Sequence, residues 1–368
     1  MKILITGSNG FVGQNLSVHL SERKEIEVVT FNRLDKIESL RAKLDGVDLV
    51  FHLAGVNRPK HNENYKIGNT DLTLALCQAI TQTNRLIPVI YTSSIQAAQD
   101  NPYGQSKKAS EEILKSFSTQ SGCPIYLFRL PNVFGKWCKP NYNSVVATFC
   151  YNIIHDLPIE ITDPAASLHL VYIDDVIKKF ISIIDGALVV PGFTDINPIY
   201  ELTVGDLAEK LKLLKASREN LVTEPVGTGI DRALHSTYLS YLEPENFSYE
   251  LRQHKDSRGA FVEVLKTKCS GQFSYFTSGP NVTRGGHYHH TKTEKFLVIK
   301  GNATFKFRHI ISKETYEIET SGVVPRVVET VPGWTHDVTN TGDDDLVMML
   351  WANENFDREN PDTFLMPL

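Results

Sequence analysis

Near residue 247 the hydrophobic periodicity of the chain changes, and that change limits its possible folds more than any other feature. Ahead of it, short β-branched runs alternate with amphipathic stretches. The runs predict strands at Lys2–Thr6, Val28–Asn32, Leu49–Leu53, Val89–Ser93 and Ile125–Leu130; the stretches predict helices at Gly13–Glu22, Asp71–Thr81 and Lys107–Gln120. Such alternation implies a parallel sheet with helices on both faces. Residues 186–246 are less patterned, with one helix expected at Val204–Lys215. Beyond 247, short apolar runs follow closely on one another, many separated by turn residues (Gly271, Gly279-Pro280, Gly301, Pro332-Gly333, Gly342), which predicts an antiparallel barrel or sandwich. Its strands are expected at Ala260–Leu265, Phe273–Thr277, Lys295–Ile299, Ala303–His309, Thr315–Glu319, Arg326–Val331 and Leu346–Trp351. The expectation is two domains, α/β over residues 1–246 and all-β over residues 247–368.

A chain of 368 residues that is 41% apolar and 22% charged can bury cores of that size. Its formal net charge of −5 gives no global reason to bind nucleic acid or an anionic membrane. Five scattered cysteines without a CxxC pair argue for a reducing compartment, and against a disulfide framework or a thiolate zinc finger. Gly7 interrupts the apolar run after Met1-Lys2, so no signal-peptide core is expected, and no apolar run approaches the roughly 20 residues that span a bilayer. A cytoplasmic protein with neither nucleic-acid nor membrane partners is expected.

The segment Thr6-Gly7-Ser8-Asn9-Gly10-Phe11-Val12-Gly13 lies at the carboxyl end of the first strand and opens the first helix. Gly7 permits a tight turn, Gly10 close approach of a pyrophosphate, and Gly13 close helix–sheet packing. The free N–H groups of the helix start, at the positive end of its dipole, then attract phosphate. Dinucleotide sites preferring NAD carry an acidic residue at the end of the second strand. Here Phe31-Asn32-Arg33 stands there, and Arg33 can pair with a 2′-phosphate through its fork of donors. NADPH is therefore the expected cofactor.

Tyr103 and Lys107 are four apart, on one helix face, where the ammonium can lower the phenol's pKa and hold a ribose. The phenol can then protonate a carbonyl oxygen as hydride reaches its carbon. Ser93-Ser94 ends the preceding strand and offers a hydroxyl to that oxygen. These motifs, with His52-Leu53-Ala54-Gly55, Pro131-Asn132-Val133-Phe134-Gly135 and Val171-Tyr172-Ile173-Asp174-Asp175-Val176, resemble the extended short-chain dehydrogenase/reductase family, over roughly residues 1–240. The resemblance implies a Rossmann-like doubly wound sheet and a Ser94–Tyr103–Lys107 catalytic set, with Ser93 the alternative serine. It also implies Leu53-Ala54-Gly55 along the cofactor, and Arg129 near nicotinamide and substrate. Tyr103 follows Ser94 by nine positions, a shorter gap than family members often show.

In the second segment, His287 and His289 share a strand face by the period of two, Glu294 can enter from the next strand, and His336 supplies a fourth ligand. Imidazoles with a carboxylate suit zinc or another divalent transition metal. His287-x-His289-x4-Glu294-x6-Gly301 with Gly333-x2-His336-x3-Asn340 resembles the two motifs of the cupin β-barrel family. His290 is an extra imidazole that can replace or supplement His287. Asp256-Ser257-Arg258-Gly259-Ala260-Phe261-Val262-Glu263 and Arg284-Gly285-Gly286-His287-Tyr288 resemble nucleotide-sugar 3,5-epimerases on that barrel.

Long strings such as Phe134-Gly135-Lys136-Trp137-Cys138-Lys139-Pro140-Asn141 and His235-Ser236-Thr237-Tyr238-Leu239-Ser240-Tyr241 extend the likeness to bifunctional enzymes of capsular-polysaccharide synthesis, along the whole chain. That resemblance implies C3 epimerisation of a UDP-2-acetamido-2,6-dideoxy-hexos-4-ulose in the cupin. NADPH reduction of its C4 ketone would follow, yielding UDP-N-acetyl-6-deoxy-L-talosamine, in a homodimer. Two alternatives stay open: a C4 reductase whose cupin is a zinc-stabilised dimerisation module, and a non-enzymatic NADP-sensing regulator.

Overall fold

The computed structural model describes residues 1–187, 189–251, 253–256, 259–262, 265–267, 271–354 and 359–368. By backbone proximity the chain divides into two compact units, the first comprising residues 1–134, 142–144 and 168–201, the second residues 135–141, 145–167 and 202–368. The division does not fall at residue 246, because the helices of 145–167 and 202–246 cluster with the strand-rich segment.

The first unit is built on a six-stranded parallel sheet. Its strands are β1 (Lys2–Thr6), β2 (Glu27–Phe31), β3 (Leu49–His52), β4 (Val89–Ser94), β5 (Ile125–Leu130) and β6 (Gly192–Phe193), in the order β2-β1-β3-β4-β5-β6. The doubly wound, Rossmann-like sheet is thus present, and each of its first five strands falls within one residue of its predicted bounds. The strand order reverses between β1 and β3, the crevice in which such sheets bind ligands. Helices α1 (Phe11–Ser21), α2 (Leu72–Thr81) and α3 (Pro102–Ser121) connect the strands. Leu76, Ile80, Leu114 and Phe117 of α2 and α3 bury against Val50, Val89, Tyr91 and Leu127. Asp174, from the Val171–Val176 motif, is buried and pairs with His19 Nε2 of α1 at 3.0 Å. This contact is structural and fixes the helix that carries the glycine turn.

The second unit holds two five-stranded antiparallel sheets. One runs Ser248–Glu250, Arg326–Glu329, Glu294–Lys300, Leu346–Ala352, Gln272–Ser278; the other runs Thr315–Ser321, Asn302–His309, Trp334–Asn340, Thr283–Tyr288, Phe364–Leu365. Phe296, Phe305, Phe307, Val327 and Trp351 are buried in this unit. The helix expected at Val204–Lys215 spans Val204–Asn220, opened by a capping box between Thr203 and Asp206. Its Arg218 reaches the buried Glu329 at 2.5 Å, and Lys295 meets the same carboxylate at 2.6 Å. These two cations offset the cost of burying the Glu329 carboxylate. Among the described residues no helix is long and apolar enough to cross a membrane.

Candidate functional site

At the switch point the glycine turn is held by its neighbours. Gly7 N donates to Phe31 O at 2.7 Å, Ala54 N to Thr6 Oγ1 at 3.2 Å, and Leu53 N to Thr6 O at 3.2 Å. Gly7 has φ +74°, and a Cβ there would lie 2.7 Å from Ala54 Cα; at Gly13 it would lie 2.2 Å from Gly7 O. Neither position admits a side chain, so a backbone cradle for a phosphate forms beside Gly10, the cap of α1. Phe11 and Val12 begin that helix. Ser8 Oγ and Asn9 N both donate to Asn32 Oδ1 at 3.1 Å, which locks the turn to the end of β2. Asp35, the first carboxylate after β2, accepts from Asn32 N at 2.7 Å and pairs with Lys43 at 3.1 Å. Arg33 beside it is exposed.

Tyr103 and Lys107 lie one turn apart on α3, and Ser94 ends β4. The short Ser94-to-Tyr103 connection is a 3₁₀ turn, Ile95–Ala98, with Ser94 Oγ accepting from Gln96 N at 3.2 Å. Asn101 then caps α3, Pro102 begins it, and a Cβ at Gly104 would lie 2.1 Å from Gln96 O. The connection can be this short because the residue after Tyr103 has no side chain. The Ser94 hydroxyl is near enough to the Tyr103 phenol to stabilise its ionised form, and Tyr65 lies beside it with ring centroids 5.9 Å apart. Ser93 instead donates to the buried Glu111 at 2.5 Å, and the Arg129 guanidinium holds that carboxylate bidentately at 2.9 and 2.6 Å. Ser94 is therefore the serine that faces the phenol.

One expectation is corrected. Tyr103 is not lowered by Lys107: burial raises its pKa, against the Ser94 hydrogen bond. Lys107 Nζ donates to Thr92 O at 2.8 Å and lies over the Tyr91 ring, 4.8 Å from its centroid. Burial pushes the Lys107 ammonium down to about 8, against the pull of Glu111. Lys107 Nζ would sit 3.3 Å from a Cβ at Gly55, so Leu53-Ala54-Gly55 runs past the lysine as well as the glycine turn.

The sequence reading missed Asn69. Its amide accepts from Val56 N at 2.7 Å and donates to Val56 O at 3.0 Å and to Ser106 Oγ at 2.8 Å. It sits in a π-helical turn, Lys66–Asp71, which no local periodicity announces.

The second cluster gathers His287, His289, Glu294 and His336, whose ligand atoms all lie within 4.8 Å of one another. His287 and His336 are cross-strand neighbours in one sheet, while Glu294 begins a strand of the other. His289 lies one residue past the end of its strand, not within it as the period of two supposes. Gly285, at φ +106°, would place a Cβ 2.8 Å from His336 O, and the strand bulges between Gly285 and His287. His289 Nε2 is 3.1 Å from Glu294 Oε2, and His336 Nε2 is 3.6 Å from it, beyond hydrogen-bond reach. His336 is 3% exposed, and neither of its ring nitrogens has a hydrogen-bond partner. Two orphaned imidazole nitrogens beside a buried carboxylate fit a divalent metal of the zinc type.

Burial and the neighbouring imidazoles push His287 down to about 4, so its lone pairs are available at neutral pH. Burial also lowers His336; at His289 contact with Glu294 outweighs burial and raises the pKa. Lys292 Nζ, 2.8 Å from Glu294 Oε1, is a fifth group at the cluster that the motif reading missed. His290 is not in this four-residue cluster; its ring packs on Tyr288 and Phe364, at centroid distances of 5.5 and 4.9 Å. Ser257, Arg258 and Glu263 of the epimerase-like string, and Cys269, lie outside the described residues.

A doubly wound sheet with a phosphate cradle at its switch point, and a Ser–Tyr–Lys set at the adjoining strand end, defines a nicotinamide-dinucleotide enzyme of the short-chain type. The chain belongs to the NAD dependent epimerase/dehydratase family, whose pattern matches residues 3–192, and residues 254–364 match the Polysaccharide biosynthesis C-terminal domain. It is 58% identical over 364 residues to UDP-2-acetamido-2,6-beta-L-arabino-hexul-4-ose reductase of Pseudomonas aeruginosa, covering 99% of this chain and 98% of that protein. The crystal structure of the capsular polysaccharide assembling protein CapF from Staphylococcus aureus is similar over 100% of both chains, at 40% identity and a TM-score of 0.69. The whole-chain likeness to capsular-polysaccharide enzymes is therefore borne out. UDP-glucuronic acid 4-epimerase from Bacillus cereus, solved with NAD, shares the fold at 20% identity and a TM-score of 0.54 over 59% of this chain and 84% of that one.

Proposed function

We propose that this chain is a bifunctional nucleotide-sugar enzyme. It reduces the C4 ketone of a UDP-linked 2-acetamido-2,6-dideoxy-hexos-4-ulose with NADPH, after epimerising C3 in a metal-holding cupin, residues 247–368. The product is UDP-N-acetyl-6-deoxy-L-talosamine, a precursor for surface polysaccharide. The observation that carries the reductase reading is Tyr103 beside Ser94, with Lys107 one turn on along the same helix, in a chain 58% identical to a reductase of such a ketose. The P. aeruginosa relative's name supports the substrate class.

Gly7 to Gly13, with Asn32, Leu53, Ala54 and Gly55, would hold the dinucleotide. The preference for NADPH rests on the exposed Arg33 and on an Asp35 already engaged by Asn32 and Lys43. The nicotinamide, when bound, supplies the hydride. Tyr103, kept protonated by its burial, gives its proton to the C4 oxygen, and Ser94 hydrogen-bonds that oxygen. Lys107 is the cation that stabilises the phenolate left behind. His287, His289, Glu294 and His336 would hold Zn²⁺, which polarises a carbonyl and so acidifies the carbon beside it. The enzyme acts in the cytoplasm, supported by the buried free thiols of Cys77, Cys123, Cys138 and Cys150. It acts as a homodimer, for which the sheet edge Gln272–Ser278, with Tyr275 72% exposed, offers a surface.

The decisive experiment incubates the protein with the 4-keto UDP-sugar, with and without NADPH, and follows the products by NMR. NADPH consumption with a new C4 proton supports the reading; an unchanged ketose under both conditions sinks it. The pH profile gives a second expectation. Because Lys107 is pushed down to about 8, it is charged below that pH and neutral above it. Reductive kcat/KM is expected to fall as pH rises through about 8, and a profile flat to pH 10 removes Lys107 from the chemistry.

A further inference from the structure

The loop between the strands Thr283–Tyr288 and Glu294–Lys300 carries His289 of the candidate metal centre, and it is organised by a residue some seventy positions away. Asp362 Oδ1 accepts from His290 N at 2.9 Å. Its Oδ2 accepts from Thr291 N at 2.7 Å, from Lys292 N at 2.7 Å and from Thr291 Oγ1 at 2.9 Å. The main-chain carbonyl of Asp362 accepts from His289 Nδ1. A carbonyl cannot donate, so this contact requires hydrogen on Nδ1 and leaves Nε2 as the nitrogen that turns to Glu294, 3.1 Å away. Asp362 is itself seated by the strand that follows it. Phe364 and Leu365 pair with Tyr288 and His287, and Met366 N donates to Gly286 O at 2.8 Å.

We propose that Asp362 is a positioning residue for the metal centre: its carboxylate fixes the backbone of residues 290–292, and its carbonyl fixes the tautomer and ring orientation of His289. The inference rests on the reading that His287, His289, Glu294 and His336 hold a divalent metal, and extends it to a segment outside both cupin motifs. Metal-bound histidines commonly donate their second ring N–H to such an acceptor, and losing an outer partner of this kind weakens metal binding about 10- to 100-fold. Without the carboxylate, three backbone N–H groups and one hydroxyl lose their acceptor together. The loop that carries His289, and the carbonyl that orients its ring, then lose their anchor to each other.

The test is competition for Zn²⁺ between the full-length protein and a chromophoric chelator, for the wild type, Asp362→Ala, Asp362→Asn and Leu365→Ala. Asp362→Ala keeps the main-chain carbonyl but releases it from the 290–292 backbone, so the outer partner of His289 is no longer held in place and affinity is expected to fall about 10- to 100-fold. Asp362→Asn, which keeps one acceptor oxygen, is expected to fall between it and the wild type. Leu365→Ala, in the same segment with its side chain 87% exposed, is expected to keep wild-type affinity. The Co²⁺-loaded Asp362→Ala protein is expected to show altered d–d bands, a change that lower stability alone does not produce. Affinities within twofold for Asp362→Ala and wild type overturn the proposal. If Asp362→Ala does not fold, an Asp362→Asn protein with wild-type affinity and an unchanged Co²⁺ spectrum overturns it equally. A wild type that binds no zinc overturns the metal reading itself, and the proposal with it.

Discussion

Replacing Tyr103 by Phe is expected to lower NADPH-dependent reduction of the 4-keto UDP-sugar by about two to four orders of magnitude, the range a positioned general acid contributes. The substitution removes one hydroxyl and leaves the ring, which packs beside Tyr65, in place. Little change in fold is therefore expected, and NADPH affinity measured by fluorescence titration should hold within a few-fold. The loss should sit in kcat rather than KM, because the proton is needed only as charge develops on the C4 oxygen. Ser94→Ala should lower the same rate by less, since the phenol keeps its proton. Ser93→Ala should act through stability, because its partner is the buried Glu111 rather than the phenol. A Tyr103→Phe protein that reduces the ketose at the wild-type rate would return the chain to the regulator reading.

The second large effect concerns the metal. The double variant Glu294→Gln/His336→Asn is expected to retain no stoichiometric zinc, as measured by elemental analysis of the purified protein. Exchange of the C3 hydrogen of the 4-keto sugar into deuterated water should fall by about two orders of magnitude or more. Such a drop corresponds to the several kcal/mol of charge stabilisation a Lewis acid supplies. Reduction of a ketose supplied already epimerised should continue, since the Ser94–Tyr103–Lys107 set is untouched. Exchange persisting without zinc would make the ion a structural one, as in the dimerisation-module reading.

The legible parts of this chain were those whose physics is local. The glycine turn could be read because Gly7 and Gly13 stand where a Cβ has no room, and strand β1 and helix α1 flank it within a dozen residues. The residues of the candidate metal cluster could be picked out by spacing, yet the strands that carry two of them were not legible. Thr283–Tyr288 holds two glycines and Trp334–Asn340 is polar, so neither shows the alternation of a half-buried strand. Asn69, Glu111 and Asp362 share another obstacle. Each is a buried or nearly buried polar residue whose partners lie elsewhere in the chain, and neither helical nor strand period carries that information. The loss of order in the pattern after residue 186 has a related cause. Its helices pack on one another and on the strand-rich segment rather than on the parallel sheet, so their apolar positions answer to neighbours distant in sequence.

The interleaving of the two units bears on how such a protein can be taken apart. A gene cut at residue 246 would not release two finished proteins. The front piece would keep Arg218 but lose Glu329, and keep Ser236 but lose the carbonyls of His290 and Thr291. The rear piece would carry the metal cluster on sheets stripped of the helices beside them. Recombination at that point therefore exchanges fragments rather than modules, and the two segments are inherited as one unit of stability. Swapping only the segment after 246 between relatives should succeed in proportion to how well the donor reproduces those contacts, whatever its own catalytic competence.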